Sequence, residues 1–371
     1  MSKLLKTILV IINVLAGLAL VASAWAGSVD PQQHASAAIV AMTIPVTVPV
    51  MLFVLVADCL WLRKAVIWSV ICLAVSMPAV YATMPLGFHS NRQPTAAEEN
   101  RSFSILTYNC MNLTDNSMSY PDDVNPTIAF LLEQDADIVC LQEAGYTGKP
   151  NPTKHITQEQ IDSINARYPY IATNVDVNDL RSAVFSKFPV TQLEIDSVST
   201  DKYNHRMAWY RFEVLGRKLT VFSLHLASYK LTPEDKDLYK ELTRFQGENR
   251  LGDAKRNLLG KVAAAAVKRA QQTEYLCGLI ASEPADRDII LCGDFNDVPA
   301  SWPIRQFEKE GFEELGPMFG FGYRPTFHAD RFYFSIDHIL YRGALKPISY
   351  TMPTPKWSDH YPLKATFVFD K

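Results

Sequence analysis

The sequence has no surplus of either charge: 36 Lys and Arg stand against 39 Asp and Glu in 371 residues, a formal net charge of -3. A chain so balanced offers no broad basic surface of the kind that releases counterions along duplex DNA. It also lacks any Cys-x-x-Cys spacing. Its six cysteines are scattered, with Cys59 and Cys72 in or beside long apolar runs, Cys110, Cys140 and Cys292 inside strand-like runs, and Cys277 in a helical stretch. That excludes a zinc ribbon and a disulfide framework and predicts buried small side chains, although a pairing between neighbouring strands stays open in an oxidising compartment. Internal repeats and low-complexity tracts are absent as well.

Charge is missing altogether from three long stretches near the amino terminus. Between Ile8 and Ala26 the one strongly polar side chain is Asn13, and neither Ala35 to Ala57 nor Ala65 to Met84 carries a charge. Each run reaches or approaches the roughly 20 residues that span a bilayer, which predicts three transmembrane helices within a membrane anchor over residues 1–84, with residues 4–84 meeting the bilayer. Ile44-Pro45 and Val48-Pro49 predict kinks in the second. Two other readings of this region stand beside it. Lys3, Lys6 and the small-x-small triplet Ala24-Trp25-Ala26 also fit a cleaved signal peptide, and the apolar runs also fit a buried soluble hairpin.

Lys3 and Lys6 flank the first run, and Arg63 and Lys64 separate the second from the third, whereas Gly27 to His34 has no Lys or Arg. The positive-inside rule then places the amino terminus in the cytoplasm of a multi-pass inner-membrane protein and everything after Met84 outside. Residues 85–100 are polar and broken by proline, as a tether would be, and about 15 residues reach at most about 50 Å.

From residue 101 to 371 strand-like runs alternate with helical ones. Phe103–Tyr108, Ile138–Leu141, Ala183–Phe185, Met207–Val214, Leu219–Leu226, Ile289–Cys292, Phe332–Leu340 and Ala365–Phe369 are short and rich in β-branched or aromatic residues, as strands are. Pro126–Gln134, Gln158–Arg167 and Asn257–Ile280 have helical patterning. Several strands are apolar on both faces, which predicts an α/β fold with two packed sheets flanked by helices.

Six short polar islands each read as closing an apolar strand-like run: Tyr108-Asn109, Gln142-Glu143, Leu224-His225, Gly293-Asp294-Phe295-Asn296, Ile336-Asp337-His338 and Ser358-Asp359-His360. Carboxylates, amides and imidazoles just past buried strands gather at one rim of a sheet, where they can hold a divalent cation and direct water at a phosphate. Gly293 suggests a tight turn, and the i, i+2 spacing of Asp294 and Asn296 sends acid and amide to one side. Asp337 is suited to fix the tautomer of His360. His338, one residue on, belongs to the opposite strand face. Arg181 and Arg206 are further phosphate-contact candidates, and the loop Gly320 to Pro325 with Trp302 and Trp357 is a candidate aromatic rim.

In this order the islands resemble the endonuclease/exonuclease/phosphatase superfamily, which includes pancreatic-type deoxyribonucleases, abasic-site endonucleases, neutral sphingomyelinases and inositol polyphosphate 5-phosphatases. The resemblance covers residues 101–371 and implies a four-layer α/β sandwich with Mg²⁺ or Mn²⁺ as cofactor. It implies that Asn109, Glu143 and Asp359 face the metal, that Asp294 and Asn296 orient water and phosphate, that His225 contacts phosphate, and that Asp337 and His360 form a dyad. Two departures bear on substrate contacts: Ser335-Ile336-Asp337-His338 replaces the common Arg-Ile-Asp-Tyr, and Ser223 stands where Asn is common. The expected activity is hydrolysis of a small, lipid-borne or nucleic-acid phosphoester by metal-assisted water attack, with no protein partner indicated. An anchored nuclease, a sphingomyelinase-like phosphodiesterase and an inactive binding protein are the alternatives.

Overall fold

The computed structural model of the protein describes residues 2–114, 124–176, 179–193, 195, 207–230, 232, 234, 235, 237, 251–329 and 332–370. The apolar runs fold as α1 (Lys3–Ala26), α2 (Ser36–Ala41), α3 (Ile44–Trp61) and α4 (Val66–Thr83). Of these, α1, α3 and α4 are long and apolar enough to cross a membrane. Gly17 marks the close approach of α1 to α4, since a Cβ there would lie 2.5 Å from Trp68 Nε1; small residues serve this purpose between helices that have no hydrophobic force to pull them together in lipid. The bundle also buries polar side chains that satisfy one another. Asp58 accepts from Asn13 Nδ2 and, at 2.6 Å, from Ser69 Oγ.

The second apolar run is not one kinked helix. It breaks at Met42 and Thr43, between α2 and α3, and Pro45 falls in the first turn of α3, where its missing N–H leaves no bond unmade. Pro49 lies inside α3. The expected tether also differs from a free chain. Leu86 pairs with Phe321, the His89 N–H donates to Met318 O at 3.1 Å, and the Arg92 N–H donates to Ile348 O at 3.0 Å. Residues 86–92 are therefore laid along the globular part, because carbonyls of its last short helix and of an edge strand offer their backbone groups partners.

That globular part is a sandwich of two six-stranded mixed sheets. The first contains β1 (Ser102–Asn109), β2 (Ile138–Gln142), β3 (Tyr170–Asp176), β4 (Asp179–Ser186), β11 (Leu345–Thr351) and β12 (Leu363–Phe369), in the order β11-β12-β1-β2-β4-β3. The second contains β5 (Val190–Leu193), β6 (Ala208–Val214), β7 (Arg217–His225), β8 (Asp288–Asp294), β9 (Glu313–Glu314) and β10 (Asp337–Arg342), in the order β5-β6-β7-β8-β10-β9. Each sheet has one parallel pair near its centre, β1 with β2 and β7 with β8.

Period-2 alternation explains why the central strands are apolar on both faces. Ile138 and Cys140 of β2 meet Ile290 and Cys292 of β8 between the sheets. Val139 and Leu141 turn outward to α5 (Pro126–Gln134) and α6 (Gln158–Arg167). Ile289 and Leu291 likewise face α7 (Leu251–Ser282) and α8 (Trp302–Lys309). Four layers result, and α5 and α6 match the sequence expectation. The short helices α8 and α9 (Leu315–Phe319) have no counterpart in the sequence reading. The strand expected over Phe332–Leu340 begins only at Asp337. Phe334 pairs instead with Phe327, and the N–H groups of Ile336 and Asp337 are taken by Thr326 Oγ1, each at 3.0 Å.

Candidate active site

Strand register brings the islands together. In the second sheet His225 lies opposite Asp294, and Asp294 lies opposite Asp337 on its other side, so one row across β7, β8 and β10 holds three of the predicted residues. In the first sheet Asn109 lies opposite Gln142, which puts Glu143 one residue beyond the strand end. The two rows meet over a cavity of about 270 Å³ lined by Asn109, Glu143, His225, Asp294, Asn296, Asp359 and His360. Asp337, the eighth predicted residue, stands behind His360 and meets its Nδ1 at 2.8 Å through Oδ2.

Local backbone geometry fixes the directions. Gly293 is not in a turn but within β8, with φ at +132°; a Cβ there would lie 2.1 Å from Leu224 O on the parallel neighbour. Close strand approach, which brings His225 beside Asp294, is what requires glycine. Past the strand, the Asn296 N–H donates to Asp294 Oδ1 at 2.9 Å and its Nδ2 to Leu226 O at 3.0 Å. Glu143 and Asn296 both hold a left-handed backbone, a strained state for residues with a side chain that is common at functional sites. Ser358 ties the last island to the first by donating to Asn109 O at 2.7 Å.

Charge is concentrated and unevenly solvated. Asn109 Nδ2 donates to Asp294 Oδ2 at 3.1 Å and lies 3.4 Å from Glu143 Oε1; His225 Nε2 lies 3.6 Å from both carboxylates. Burial lifts the Asp294 carboxyl to about 7, with Asp337 adding repulsion and His360 opposing both. For His360 burial disfavours the imidazolium, but Asp337 and Asp294 outweigh it and raise the pKa to about 10. Asp294, Asp337 and His360 bring ligand-type atoms within 4.8 Å of one another. The Asp337–His360 hydrogen bond occupies Nδ1 and leaves His360 Nε2, 3.7 Å from Asp294 Oδ2, facing the cavity.

The structure moves some expected contacts. The aromatic wall of the cavity comes from Phe327, Phe332 and Phe334, together with Tyr229. Trp302 is instead packed on α8 near Gln306, and neither Trp302, Trp357 nor the 320–325 loop lines the cavity. Aromatics next to a chain reversal identify no pocket by themselves, and the Phe327 to Phe334 turn becomes visible only through its pairing. Ser223 accepts from Gln142 Nε2 at 3.0 Å between the sheets, so this departure from the family pattern serves packing. His338 faces away from Asp337, bonded to Glu314 Oε1 at 2.6 Å and Asp297 O at 2.9 Å. Arg206, and the side chain of Arg181, lie outside the described residues.

One buried cation went unnoticed in the sequence. Arg269 of α7 donates to Asp297 Oδ2 and to Ala227 O, each at 2.9 Å, and clamps the segments that follow β8 and β7. An Arg in an Ala- and Lys-rich helix gives no local signal of such burial.

The sequence model of the Endonuclease/Exonuclease/phosphatase family matches residues 106–360, more than half of the chain, and the protein belongs to this family. A second model, described as a domain of unknown function, matches residues 6–83. No curated protein sequence matches. Similar solved structures include D. rerio TDP2 humanized by 14 mutations, 18% identical with a TM-score of 0.47 over 72% of this chain and 98% of that one. An endonuclease/exonuclease/phosphatase from Beutenbergia cavernae is 14% identical with a TM-score of 0.46, over 73% of this chain and 72% of its own. The human Nocturnin catalytic domain with bound sulfate is 16% identical with a TM-score of 0.45, over 72% and 94% respectively.

Proposed function

We propose that the protein is a membrane-anchored phosphoester hydrolase that works with a divalent cation, Mg²⁺ or Mn²⁺, with its anchor in residues 1–84, a connecting segment in 85–100 and its catalytic domain in 101–371. The observation that carries this reading is the meeting of seven predicted side chains from both sheets on one cavity, with Asp337 backing His360. Glu143 and Asp359 offer half-buried carboxylate oxygens at that cavity, and Asn109 adds an amide oxygen that accepts from Met111 N at 3.2 Å. An all-oxygen set suits a hard cation, so these three residues would hold it. When bound, the cation supplies positive charge against the charge that builds on the phosphoryl oxygens and leaving group.

The remaining residues divide the proton work. Asp294, lifted to about 7 by burial, is suited to accept the proton of the attacking water near neutral pH. His360 is held as an imidazolium by Asp337 and Asp294, which suits it to stabilise the phosphoryl oxygen and to give a proton to the departing alkoxide. His225 and Asn296 are positioned to hold nonbridging oxygens. Lys3, Lys6, Arg63 and Lys64 sit at the helix ends remote from the sandwich, which favours an extracytoplasmic catalytic domain in an inner membrane.

The test is hydrolysis of a phosphodiester reporter by the full-length protein in detergent. EDTA should abolish turnover and Mg²⁺ or Mn²⁺ should restore it; undiminished turnover in EDTA refutes the metal assignment. For topology, a reporter fused after Lys371 should be active only outside the cytoplasm, and activity inside reverses the orientation.

A further inference from the structure

The rim of the sandwich that carries the site is also the rim that rests on the helical bundle. Three segments lead from one to the other. β7 ends at His225, and four residues on, the Tyr229 hydroxyl lies 3.6 Å from Met42 Sδ, at the break between α2 and α3. β8 ends at Asp294, and six residues on, Ala300 packs so tightly on Gly27 that a Cβ there would lie 1.8 Å from Ala300 O. Arg305 then donates to Ala24 O at 2.7 Å and to Ser28 Oγ at 2.9 Å. Ahead of β10, Phe321 pairs with Leu86, three residues past α4. A void of about 30 Å³ is bounded by Thr83 of α4 on one side and by Asp337 on the other. Every one of these contacts involves the helix ends opposite Lys3, Arg63 and Lys64, so helices in a bilayer would hold the site at its surface.

An apolar surface continues from the helices onto the catalytic domain at this level. Leu86, Phe88 and Phe321 are 59%, 71% and 76% exposed, and Phe88 stacks on Tyr81 of α4 with ring centroids 5.8 Å apart. Tyr near the end of a spanning helix is characteristic of the membrane–water interface, and Tyr81 has that place in α4. Within the cavity, Phe327, Phe334 and Ile336 form an apolar wall facing the polar residues, and the Phe327 ring meets His360 edge-on at 5.0 Å. The site is thus amphipathic, with its charged floor next to a greasy wall.

We propose that the substrate is a phosphoester borne by a bilayer lipid, taken from the leaflet on which the catalytic domain sits. This rests on the hydrolase reading above. The headgroup phosphate occupies the polar floor, and the apolar wall receives the lipid carbons next to the ester. One water is consumed: its oxygen bonds to phosphorus, its proton passes to Asp294, the phosphorus–oxygen bond to the alcohol breaks, and the alkoxide takes a proton from His360. Proton return from Asp294 to His360, 3.7 Å apart, restores the site.

The experiment uses the full-length protein reconstituted with Mg²⁺ in vesicles of phosphatidylcholine, phosphatidylethanolamine and phosphatidylglycerol, with lipid products read by mass spectrometry. A soluble bis-aryl phosphate and plasmid DNA are assayed in parallel. Lipid turnover should exceed that of the soluble diester at least 10-fold. The double variant Phe88→Ser, Phe321→Ser should lower lipid turnover about 10-fold and leave the soluble diester unaffected, while Trp at both positions should retain lipid turnover. Both residues are exposed, so the core is untouched. Soluble-diester turnover equal to or above lipid turnover overturns the lipid assignment and leaves the hydrolase standing. Nicking of DNA without lipid turnover makes the protein an anchored nuclease. Turnover of none of the three removes the hydrolase reading and the lipid assignment together.

Discussion

The two sheets are built alike and equip the site differently. Each has a parallel pair near its centre whose strands end at or one residue before a polar residue of the site: Asn109 and Glu143 in the first sheet, His225 and Asp294 in the second. The Glu143 side chain keeps 42% of its surface exposed, whereas that of Asp294 keeps 3%. Solvated oxygen can be handed to a cation at little desolvation cost. A carboxylate stripped of water changes its proton affinity instead. Glu143 of the first sheet is therefore suited to hold charge brought in from outside, and Asp294 of the second to accept a proton.

That contrast is sharpest in paired substitutions. Asp294→Asn should lower phosphodiester turnover by about 10³-fold and not respond to added metal, because in the proposed mechanism Asp294 accepts the proton. Glu143→Gln should lower it by about 10²-fold and shift the Mg²⁺ requirement upward, with partial recovery at high Mg²⁺. A Mg²⁺ titration of both variants decides; equal responses to metal would erase the division between the sheets.

Structural tolerance should differ too. Gly293→Ala forces a Cβ against Leu224 O and should destabilise the full-length protein in detergent by roughly 3 kcal/mol or more, read as a lowered Tm. Gly216, also at positive φ but with open space around it, should accept Asn with under about 1 kcal/mol lost. Similar Tm values for the two would show that strand approach at the site is looser than the geometry states.

Buried Asp294 of the second sheet and buried His360, just ahead of β12 of the first, should make metal-free stability fall with pH. His360 is raised from 6.5 to about 10, so its contribution is complete below its ordinary pKa and is lost as pH rises through 10. Asp294 is raised from 3.8 to about 7, so its ionisation opposes folding progressively above pH 4 and fully above about 7. Above pH 7 His360 shares the decline with buried His338, whose pKa Glu314 raises against the effect of burial, and the slope should lessen in His360→Gln. Thermal unfolding in EDTA across that window measures it, and an unchanged slope would remove His360 as a source. The smallest effect is expected from Ser223→Ala, which leaves Gln142 one acceptor short between the sheets and should cost about 1 kcal/mol with turnover unchanged.

Much of this was legible in order of residues. Three apolar runs, helices α5 and α6 and the eight polar residues that the fold gathers at one rim could be named because buried strands and apolar helices have strong local periodicities, against which short polar islands stand out. Other features depended on distant partners. Phe332 to Ile336 has strand composition but pairs with Thr326 and Phe327. The polar stretch 85–100 has linker composition but finds backbone partners near Met318 and Ile348.

By itself, then, the sequence determined the alternation of layers, the identity of the polar strand ends and the three runs fit for a membrane, since each follows from residue type and spacing along a few neighbouring positions. Only the tertiary structure decided that Asp337 backs His360 instead of lining the cavity, that Gly293 serves strand approach, and that the catalytic rim faces the bundle through Tyr229, Ala300 and Phe321. Those facts depend on register between strands and on contacts between segments distant along the chain, and no local pattern encodes either.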